Sequence, residues 1–335
     1  MGIEHQRTVQ EATFYNPLED FAATTVEMEI REDPLTGRQS RIVPDNFLIP
    51  EEEPDIESVV TDDEGCFFCP EMVDETTPKY PDFVGMDRGA VGEATSFPNL
   101  NPYGTHSNVV VLTEDHYVPI GEFTEDIFTD GLQAALEYVT AVFEHENDPQ
   151  IGSVNMNYLR SAGSSIIHPH LQTLVDDRGT NEQRARLEGA RSYHEETDGN
   201  YFADLVDEER DTARQVGTIG DVEWIAPFAP RHHRHFMGIL PDSSIPDPDA
   251  EAVRNLAAGI VNVLEYFADV GLNSFNVGLH LFEDEPATRP VLDVVARSVF
   301  DQYYWSDATF FETVHDEGVV DVAPETYAEE AAAFF

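Results

Sequence analysis

The feature of this sequence that most constrains its fold is a repeated order of segments. Each half contains an apolar strand pattern, then an amphipathic helix pattern with an apolar residue every three or four positions, then two further strands. In chain order the segments are the strand at 109–112, the helix after Thr124, the strands at 154–157 and 168–175, the strand at 235–240, the helix from about Asp249, and the strands at 275–280 and 289–293. Such a repeat predicts an α+β fold of two similar copies, with helices packed on antiparallel sheets. We expect an N-terminal unit at 1–178 and a C-terminal unit at 179–335.

The two copies differ at their last strand. The first copy has His-Pro-His-Leu-Gln at 168–172, and the second has Arg-Pro-Val-Leu-Asp at 289–293. Alternate side chains of a strand share a face, so His168, His170 and Gln172 are expected on one side. Such a set suits binding of a phosphate, binding of a metal, or attack on phosphorus by a ring nitrogen. Pro169 favours an edge strand or a bulge, and a strand with two incidental histidines is the alternative.

The cysteines add a second chemical signal. Cys66 and Cys69 are the only two, and their C-x-x-C spacing is typical of half a zinc site or of a redox pair. A redox pair of this kind needs a strand–helix–strand setting, which the surrounding sequence lacks. We therefore favour zinc.

The charge of the chain excludes several partners. It has 66 acidic residues against 18 basic ones, for a net charge of −48, and Lys79 is its one lysine. Nucleic acids and anionic membranes, which are polyanions, are therefore not expected partners. With no 18-residue apolar run and no basic–apolar leader pattern, we expect a cytoplasmic protein. Acids interleaved with apolar segments are typical of folded proteins in a cytoplasm of molar salt, such as that of halophilic archaea.

This charge predicts a stability that depends on salt. At molar ionic strength the Debye length falls to roughly 3 Å, so repulsion between surface carboxylates is screened. We expect a lower melting temperature in dilute buffer than in molar KCl. Calorimetry in both buffers tests this, and equal melting temperatures would contradict it.

Two segments lack a clear strand or helix pattern. Residues 1–65 are rich in Glu, Asp and Pro and are expected to be irregular, apart from a turn at 33–37 between two extended stretches. His232, His233 and His235 surround Arg234. Adjacent side chains on an extended chain point to opposite faces, so we expect surface positions or contact with a sugar phosphate rather than a metal site.

The motifs together resemble a known family. Taken in order, the chain is similar to galactose-1-phosphate uridylyltransferases of the histidine triad superfamily, whose fold is two such copies. The resemblance covers most of the chain, from Arg31 to Glu325. It depends on Cys-Phe-Phe-Cys-Pro at 66–70, Phe-Pro-Asn at 97–99, Asp-His at 115–116, Asn157 with Gly-Ser-Ser at 163–165, and His-Pro-His-Leu-Gln at 168–172.

The resemblance implies a role for each matching residue. It implies one structural Zn²⁺ per chain, held by Cys66, Cys69, His116 and His168. His170 would attack the α-phosphorus of a nucleotide sugar and form a uridylyl-histidine, with Gln172 and Ser165 as phosphate donors. Substrate contacts would come from Asn99, Asn157, Gly163, Ser164 and Glu312. The implied partners are a nucleotide sugar and a sugar 1-phosphate, with a second copy of the chain in a homodimer.

The chain also departs from the family pattern. Leu159 stands where the family often has glycine, and a lysine expected near Ser306 is absent, which puts galactose specificity in doubt. The family often has a second metal site. Of that site His280 remains without its histidine partners, so we expect no second metal. A phosphorylase or hydrolase of the same superfamily is the alternative function.

Overall fold

The computed structural model describes residues 2–44, 55–56, 60, 65–148, 150–298 and 306–335. Within these ranges the strands are β1 (Gln6–Asn16), β2 (Ala22–Glu32), β3 (Gln39–Ile42), β4 (Gly89–Val91), β5 (Ala94–Pro98), β6 (His106–Val111), β7 (Ile151–Tyr158), β8 (His170–Asp176), β9 (Gln215–Ile219), β10 (Val222–Ile225), β11 (Phe236–Ile239), β12 (Ser274–Phe282), β13 (Val291–Arg297) and β14 (Gly318–Val320). The α-helices there are α1 (Pro70–Thr76), α2 (Glu125–His145), α3 (Asn181–Thr197), α4 (Tyr201–Glu209), α5 (Glu251–Asp269) and α6 (Pro324–Ala331).

The large sheet confirms the α+β fold with two similar copies. Its strand order is β4-β5-β6-β8-β7-β12-β13-β11-β10-β9, and the described pairings are antiparallel. The order reads the same from either end if each strand of the first copy is exchanged for its counterpart in the second. The copies meet where β7 pairs with β12. One continuous sheet therefore contains both copies.

The hydrogen-bond register matches the two copies residue by residue. Leu112 N donates to Pro169 O at 3.0 Å, and Leu240 N donates to Pro290 O at 3.2 Å. In the next pairs Val111 faces His170 and Ile239 faces Val291. This confirms the alignment of 168–172 with 289–293. Because β8 lies between β6 and β7, the expected edge strand is wrong, and Pro169 instead precedes the first residue of a central strand.

Two long helices cover one face of the sheet. The hydroxyl oxygen of Thr124 accepts from Ile127 N at 3.3 Å, so Thr124 caps α2 as its sequence position predicts. α2 and α5 pack on each other and on the sheet, and both helices belong to one continuous apolar core. The alternate side chains of the central strands face away from this core, and this second face is polar at its centre.

The N-terminal segment differs from the sequence expectation. β1 and β2 form an antiparallel hairpin with eleven paired positions, from Gln6 with Glu32 to Asn16 with Ala22. Nearly all of β1 is exposed. Strands exposed on both faces show no alternation of apolar and polar residues, which explains why the sequence pattern missed them. The predicted turn at 33–37 is present, with Gly37 N donating to Asp33 O at 2.8 Å. Among the described helices, none is long and apolar enough to cross a membrane.

Candidate functional site

A cluster of two cysteines and two histidines lies beside the start of β8. The candidate ligand atoms of Cys66, Cys69, His116 and His168 all lie within 4.8 Å of one another. Cys69 Sγ is 3.5 Å from His116 Nδ1 and 3.6 Å from His168 Nδ1, and Cys66 Sγ is 3.8 Å from His168 Nδ1. Tetrahedral zinc with Zn–S bonds of about 2.3 Å and Zn–N bonds of about 2.0–2.1 Å gives S···N separations of about 3.6 Å. The four residues therefore fit a metal ion.

The surroundings of His168 favour the form of the ring that binds a metal. His168 Nε2 is 2.8 Å from the carbonyl oxygen of Thr113. A carbonyl only accepts, so Nε2 carries the proton and Nδ1 presents its lone pair to the cysteines. Burial lowers the pKa of His168 to about 4, which keeps the ring neutral at pH 7. His168 precedes β8, so it is not on the same strand as His170 and Gln172, contrary to the sequence expectation.

His170 is the first residue of β8 and lies next to this cluster. Its Nδ1 is 2.8 Å from the carbonyl oxygen of His168, so Nδ1 carries the proton and Nε2 has a free lone pair. The ring is 6% exposed, and Phe68 packs edge-on to it with ring centroids 5.2 Å apart. Burial lowers the pKa of His170 below its ordinary value. Among the described residues Nε2 has no hydrogen-bond partner, so a neutral nucleophilic nitrogen remains available.

The polar face of the sheet continues from His170 across the neighbouring strands. In the register Gln172 pairs with Asn155 on β7, and Asn157 on the same strand pairs with Asn276 on β12. The pleat therefore places these side chains on the face that is opposite the helices. Asn99 follows β5, and its side-chain oxygen accepts from Asn101 N at 2.9 Å. The described chain thus brings His170, Gln172 and Asn157 to one face, with Asn99 towards its β4 edge.

The loop before His168 contains the expected glycine and serines. Gly163 has a φ of +94°, a left-handed conformation that favours glycine. Ser164 is buried, and its hydroxyl donates to Ile166 O at 2.6 Å. Its proton is therefore committed within the loop. Ser165 is exposed and its hydroxyl has no partner among the described residues, so it is the better donor to a ligand.

The backbone conformation of Leu159 explains why the family often has glycine at this position. Its φ is +65°, in the region that side-chain-bearing residues rarely adopt, and its side chain is 2% exposed. A backbone of this kind costs about 1–3 kcal/mol, which core packing of the leucine can offset. The departure from the family pattern therefore leaves the turn itself in place.

The second copy carries a cavity lined by the counterparts of Gln172 and Asn157. By the register, Val291 occupies the position of His170, Asp293 that of Gln172, and His280 that of Asn157. The cavity has a volume of ≈ 340 Å³, and its lining includes Arg231, His235, Asn276, His280, Asp293 and Glu312. Glu312 lines this cavity, and its carboxylate accepts from the backbone N and the hydroxyl of Thr309.

Asp293 is held as a largely buried anion in this cavity, with its side chain 15% exposed. Arg186 Nη2 lies 2.7 Å from it, and His235 and His280 bond to its two oxygens at 2.9 and 3.0 Å. Burial alone would raise the pKa of Asp293, but Arg186 and the two histidines outweigh it and hold the pKa well below its ordinary value. Asp293 thus stays charged at neutral pH.

Arg186→Met should lower the free energy of unfolding by about 3 kcal/mol, because it leaves Asp293 charged and largely buried without its counter-ion. Urea unfolding in molar KCl measures this. The matched control is Arg191→Met, which breaks the pair with Glu285 at a position where the arginine side chain is 59% exposed and should cost at most about 1 kcal/mol. Adding Asp293→Asn to Arg186→Met should recover much of the loss. Equal effects of the two arginine variants would contradict the role of the buried pair.

The four residues 232–235 are mostly buried, so the expected surface position is wrong. His233 and Arg234 both contact Asp321, and His235 contacts Asp293. The exposed fractions of His233, Arg234 and His235 are 3%, 6% and 2%. Arg234 has a φ of +48°, so the segment is a turn rather than an extended strand. This turn places three of the side chains against carboxylates, which sequence spacing alone does not show.

Sequence reasoning missed several polar residues beside the candidate site. Asn155 and Asn276 lie on its polar face, and the buried pair of Arg297 and Asp307 lies behind Asn276. The alternation of polar residues in β7 and β12 was a usable signal, because polar residues at every second position face away from a core. Nothing in the sequence connected Arg297 with Asn157.

Comparison with solved structures defines the fold class. A GalT-like protein from Arabidopsis thaliana superposes with a TM-score of 0.69 at 19% identity, covering 91% of this chain and 98% of that one. An ADP-glucose phosphorylase from the same plant gives 0.70 at 19% identity, with the same coverage. A uridylyltransferase gives 0.63 at 20% identity, also covering 91% and 98%. The chain thus has the fold that these three proteins share.

A sequence relative identifies the family. An uncharacterised protein from Archaeoglobus fulgidus is 36% identical over 306 residues, which cover 90% of this chain and 91% of that protein. The chain belongs to the family of this archaeal protein. No protein-family model matches it.

Proposed function

We propose that this protein is a nucleotidyltransferase that moves UMP between a UDP-hexose and a hexose 1-phosphate. The observation that carries the proposal is the ring of His170, whose Nδ1–H bonds to the carbonyl of His168 and whose Nε2 lone pair faces no protein partner among the described residues. A fixed neutral imidazole on a polar face is the arrangement that nucleophilic catalysis at phosphorus requires.

The reaction proceeds in two displacements at the α-phosphorus. In the first, His170 Nε2 forms a bond to phosphorus, the bond from phosphorus to the bridging oxygen breaks, and hexose 1-phosphate leaves. The imidazolium that forms keeps its Nδ1–H bonded to the His168 carbonyl, which stabilises the positive charge. In the second, a phosphate oxygen of another hexose 1-phosphate attacks the same phosphorus, the P–N bond breaks and His170 becomes neutral again.

The neighbouring polar groups would stabilise the charge on the phosphate. Gln172 lies two residues further on the same face, and the exposed Ser165 hydroxyl and the Gly163 loop precede the strand. Donors fixed before the reaction stabilise developing charge without reorganisation. Asn99, Asn157 and Gly163 would contact the nucleotide, with Ser164 shaping the loop. Glu312, in the adjoining cavity, would bind sugar hydroxyls.

We propose that the cluster of Cys66, Cys69, His116 and His168 holds one structural Zn²⁺. Two thiolates and two imidazoles leave no open coordination position, so the ion would fix structure rather than bind substrate. Neither Cys66 nor Cys69 forms a disulfide, in keeping with a reduced cytoplasm. The boundary between the two units at 178 and 179 also remains our proposal.

The direct test is to incubate the protein with UDP-glucose labelled in its α-phosphate, in molar KCl. We expect an acid-labile nucleotide adduct on His170 and release of one glucose 1-phosphate for each adduct. Galactose 1-phosphate is our preferred second substrate, and a panel of hexose 1-phosphates would establish the acceptor. Absence of an adduct with every UDP-sugar tested would contradict the proposal.

A phosphorylase is the second candidate, because an ADP-glucose phosphorylase shares the fold with a TM-score of 0.70. In that reaction inorganic phosphate would take the nucleotide from His170. To distinguish the two reactions, one portion of the labelled adduct is incubated with hexose 1-phosphate and another with inorganic phosphate. Faster discharge by phosphate, with a nucleoside diphosphate as product, would favour the phosphorylase.

We also propose a homodimer, which the hairpin of β1 and β2 supports. Its tip exposes Tyr15, Leu18 and Phe21, with exposed fractions of 74%, 92% and 68%. The stretches 12–18 and 21–26 carry no charge, in a chain with 66 acidic residues. A second copy can meet the hairpin along these uncharged stretches, where the charged residues are confined to Glu19 and Asp20 of the turn. Light scattering of the protein and of a Tyr15→Glu/Leu18→Glu variant in molar KCl tests this, and an unchanged mass would contradict it.

A further inference from the structure

A chain of polar contacts that begins at the buried pair of Arg297 and Asp307 reaches the candidate nucleotide site from the second copy. Asn276 on β12 lies opposite Asn157 on β7, and its Nδ2 is 2.7 Å from Asn157 Oδ1. The same Nδ2 is 2.8 Å from Ala162 O, in the loop before Gly163, and makes a longer 3.4 Å contact with Met156 O. The side-chain amide of Asn276 therefore ties β7 to the loop.

The orientation of the Asn276 amide follows from Arg297. Arg297 Nη1 is 2.8 Å from Asn276 Oδ1. A guanidinium only donates, so the Asn276 oxygen must face Arg297 and its NH₂ group must face Asn157 and Ala162. This removes the usual ambiguity between the oxygen and nitrogen of an asparagine side chain.

Arg297 is itself fixed. Its Nε lies 2.5 Å from Asp307 Oδ1, and Asp307 Oδ2 accepts from Ser298 N at 2.9 Å. The exposed fractions of Arg297 and Asp307 are 9% and 7%. A buried, hydrogen-bonded ion pair has few alternative arrangements, so the direction of the contact to Asn276 is well determined.

These contacts determine the orientation of the Asn157 side chain. Its oxygen is occupied by Asn276, so its NH₂ group is turned outward and has no hydrogen-bond partner among the described residues. This Nδ2 lies beside the loop glycine, 4.0 Å from where a Cβ on Gly163 would be. A donor held in this direction can meet an acceptor oxygen of a ligand at the loop.

We propose that Arg297 and Asn276 are positioning residues that hold the amide of Asn157 as a donor to an acceptor oxygen of the bound nucleotide. This rests on the proposed function, in which the nucleotide binds beside His170. Neither residue touches the ligand. They act by excluding the opposite orientation of Asn157, which would present a carbonyl oxygen to the nucleotide.

The test is Asn276→Asp, which keeps the shape and the contact with Arg297 but removes the donor to Asn157. The Asn157 amide should then rotate to donate to the introduced carboxylate and turn its oxygen toward the nucleotide. UMP and uridine are titrated by calorimetry in molar KCl. We expect UMP affinity to fall at least about 10-fold, the effect of losing a hydrogen bond to a charged group. A similar fall for uridine assigns the acceptor oxygen to the nucleoside, and an effect on UMP alone assigns it to the phosphate.

The control for the added charge is Asn255→Asp on α5, which should bind UMP like the unmodified protein. A double-mutant cycle separates positioning from simple damage. In an Asn157→Ala background, Asn276→Asp should have little further effect on UMP affinity, because it acts through Asn157. Unchanged affinity of the single variant, or an undiminished effect in that background, overturns the inference.

The orientation of the Asn276 amide can also be observed directly, without a measurement of activity. Neutron diffraction of the unmodified protein should show the deuterium atoms of Asn276 facing Asn157 and Ala162, and the reverse orientation overturns the inference. If the unmodified protein forms no adduct from UDP-sugars yet binds UMP in the expected pattern, the proposed reaction fails and the positioning role stands. If it does not bind UMP at all, both fail.

Discussion

Replacing His170 with asparagine should slow nucleotide transfer by on the order of 10⁴-fold or more, the scale on which loss of a covalent nucleophile reduces catalysis. Asparagine is the informative substitution because its Nδ2 can take the place of the imidazole Nδ1 and donate to the His168 carbonyl. The hydrogen bond that is 2.8 Å long in the structure can then remain, and only the nucleophilic Nε2 is lost. The measurement is the rate of hexose 1-phosphate exchange together with the yield of covalent adduct.

His194→Asn is the matched control. Its Nδ1 is also 2.8 Å from a backbone carbonyl, that of Gly199, but it lies at the end of α3. This variant should transfer UMP at the normal rate, and both variants should unfold at similar temperatures. A His170→Asn protein that retains normal exchange would show that another group attacks phosphorus.

The parts of the site that the sequence predicted are those with short, dense motifs. Cys66 and Cys69 are three residues apart, and His168 and His170 are two apart, so the chain itself holds these pairs close. The repeated order of strands and helices also predicted the sheet, because helical and strand periods are set by the burial of one face. Register then follows from that burial, and the structure confirms the alignment of 168–172 with 289–293.

The parts that the sequence could not predict depend on contacts between distant segments. Arg297 lies 140 positions after Asn157, and the two are connected only because β7 and β12 join the copies. The turn at 232–235 also depends on distant residues, because its burial requires Asp293 and Asp321. A short run of polar residues looks the same whether it faces water or a buried carboxylate, so local pattern could not distinguish the two.

Loss of the proposed zinc ion should have the second large effect, which acts first on stability and through stability on catalysis. Cys69→Ser removes a ligand that lies within 3.6 Å of both histidines. The remaining ligands belong to the segment before α1, to the turn after β6 and to the segment that leads into β8, which the ion would hold together. We expect the free energy of unfolding to fall by about 4 kcal/mol or more, with a melting temperature lower by on the order of 10 °C.

The measurement combines metal analysis, thermal unfolding and exchange rate. The unmodified protein and His194→Asn should each contain one zinc per chain, Cys69→Ser should contain less, and a strong chelator should lower the stability of the first two toward that of the third. Exchange should also slow in the metal-depleted protein, because the carbonyl of His168 orients His170 and His168 would lose its anchor. Full stability and full exchange without bound metal would mean that the hydrogen bond from His168 to Thr113 is enough to place the nucleophile.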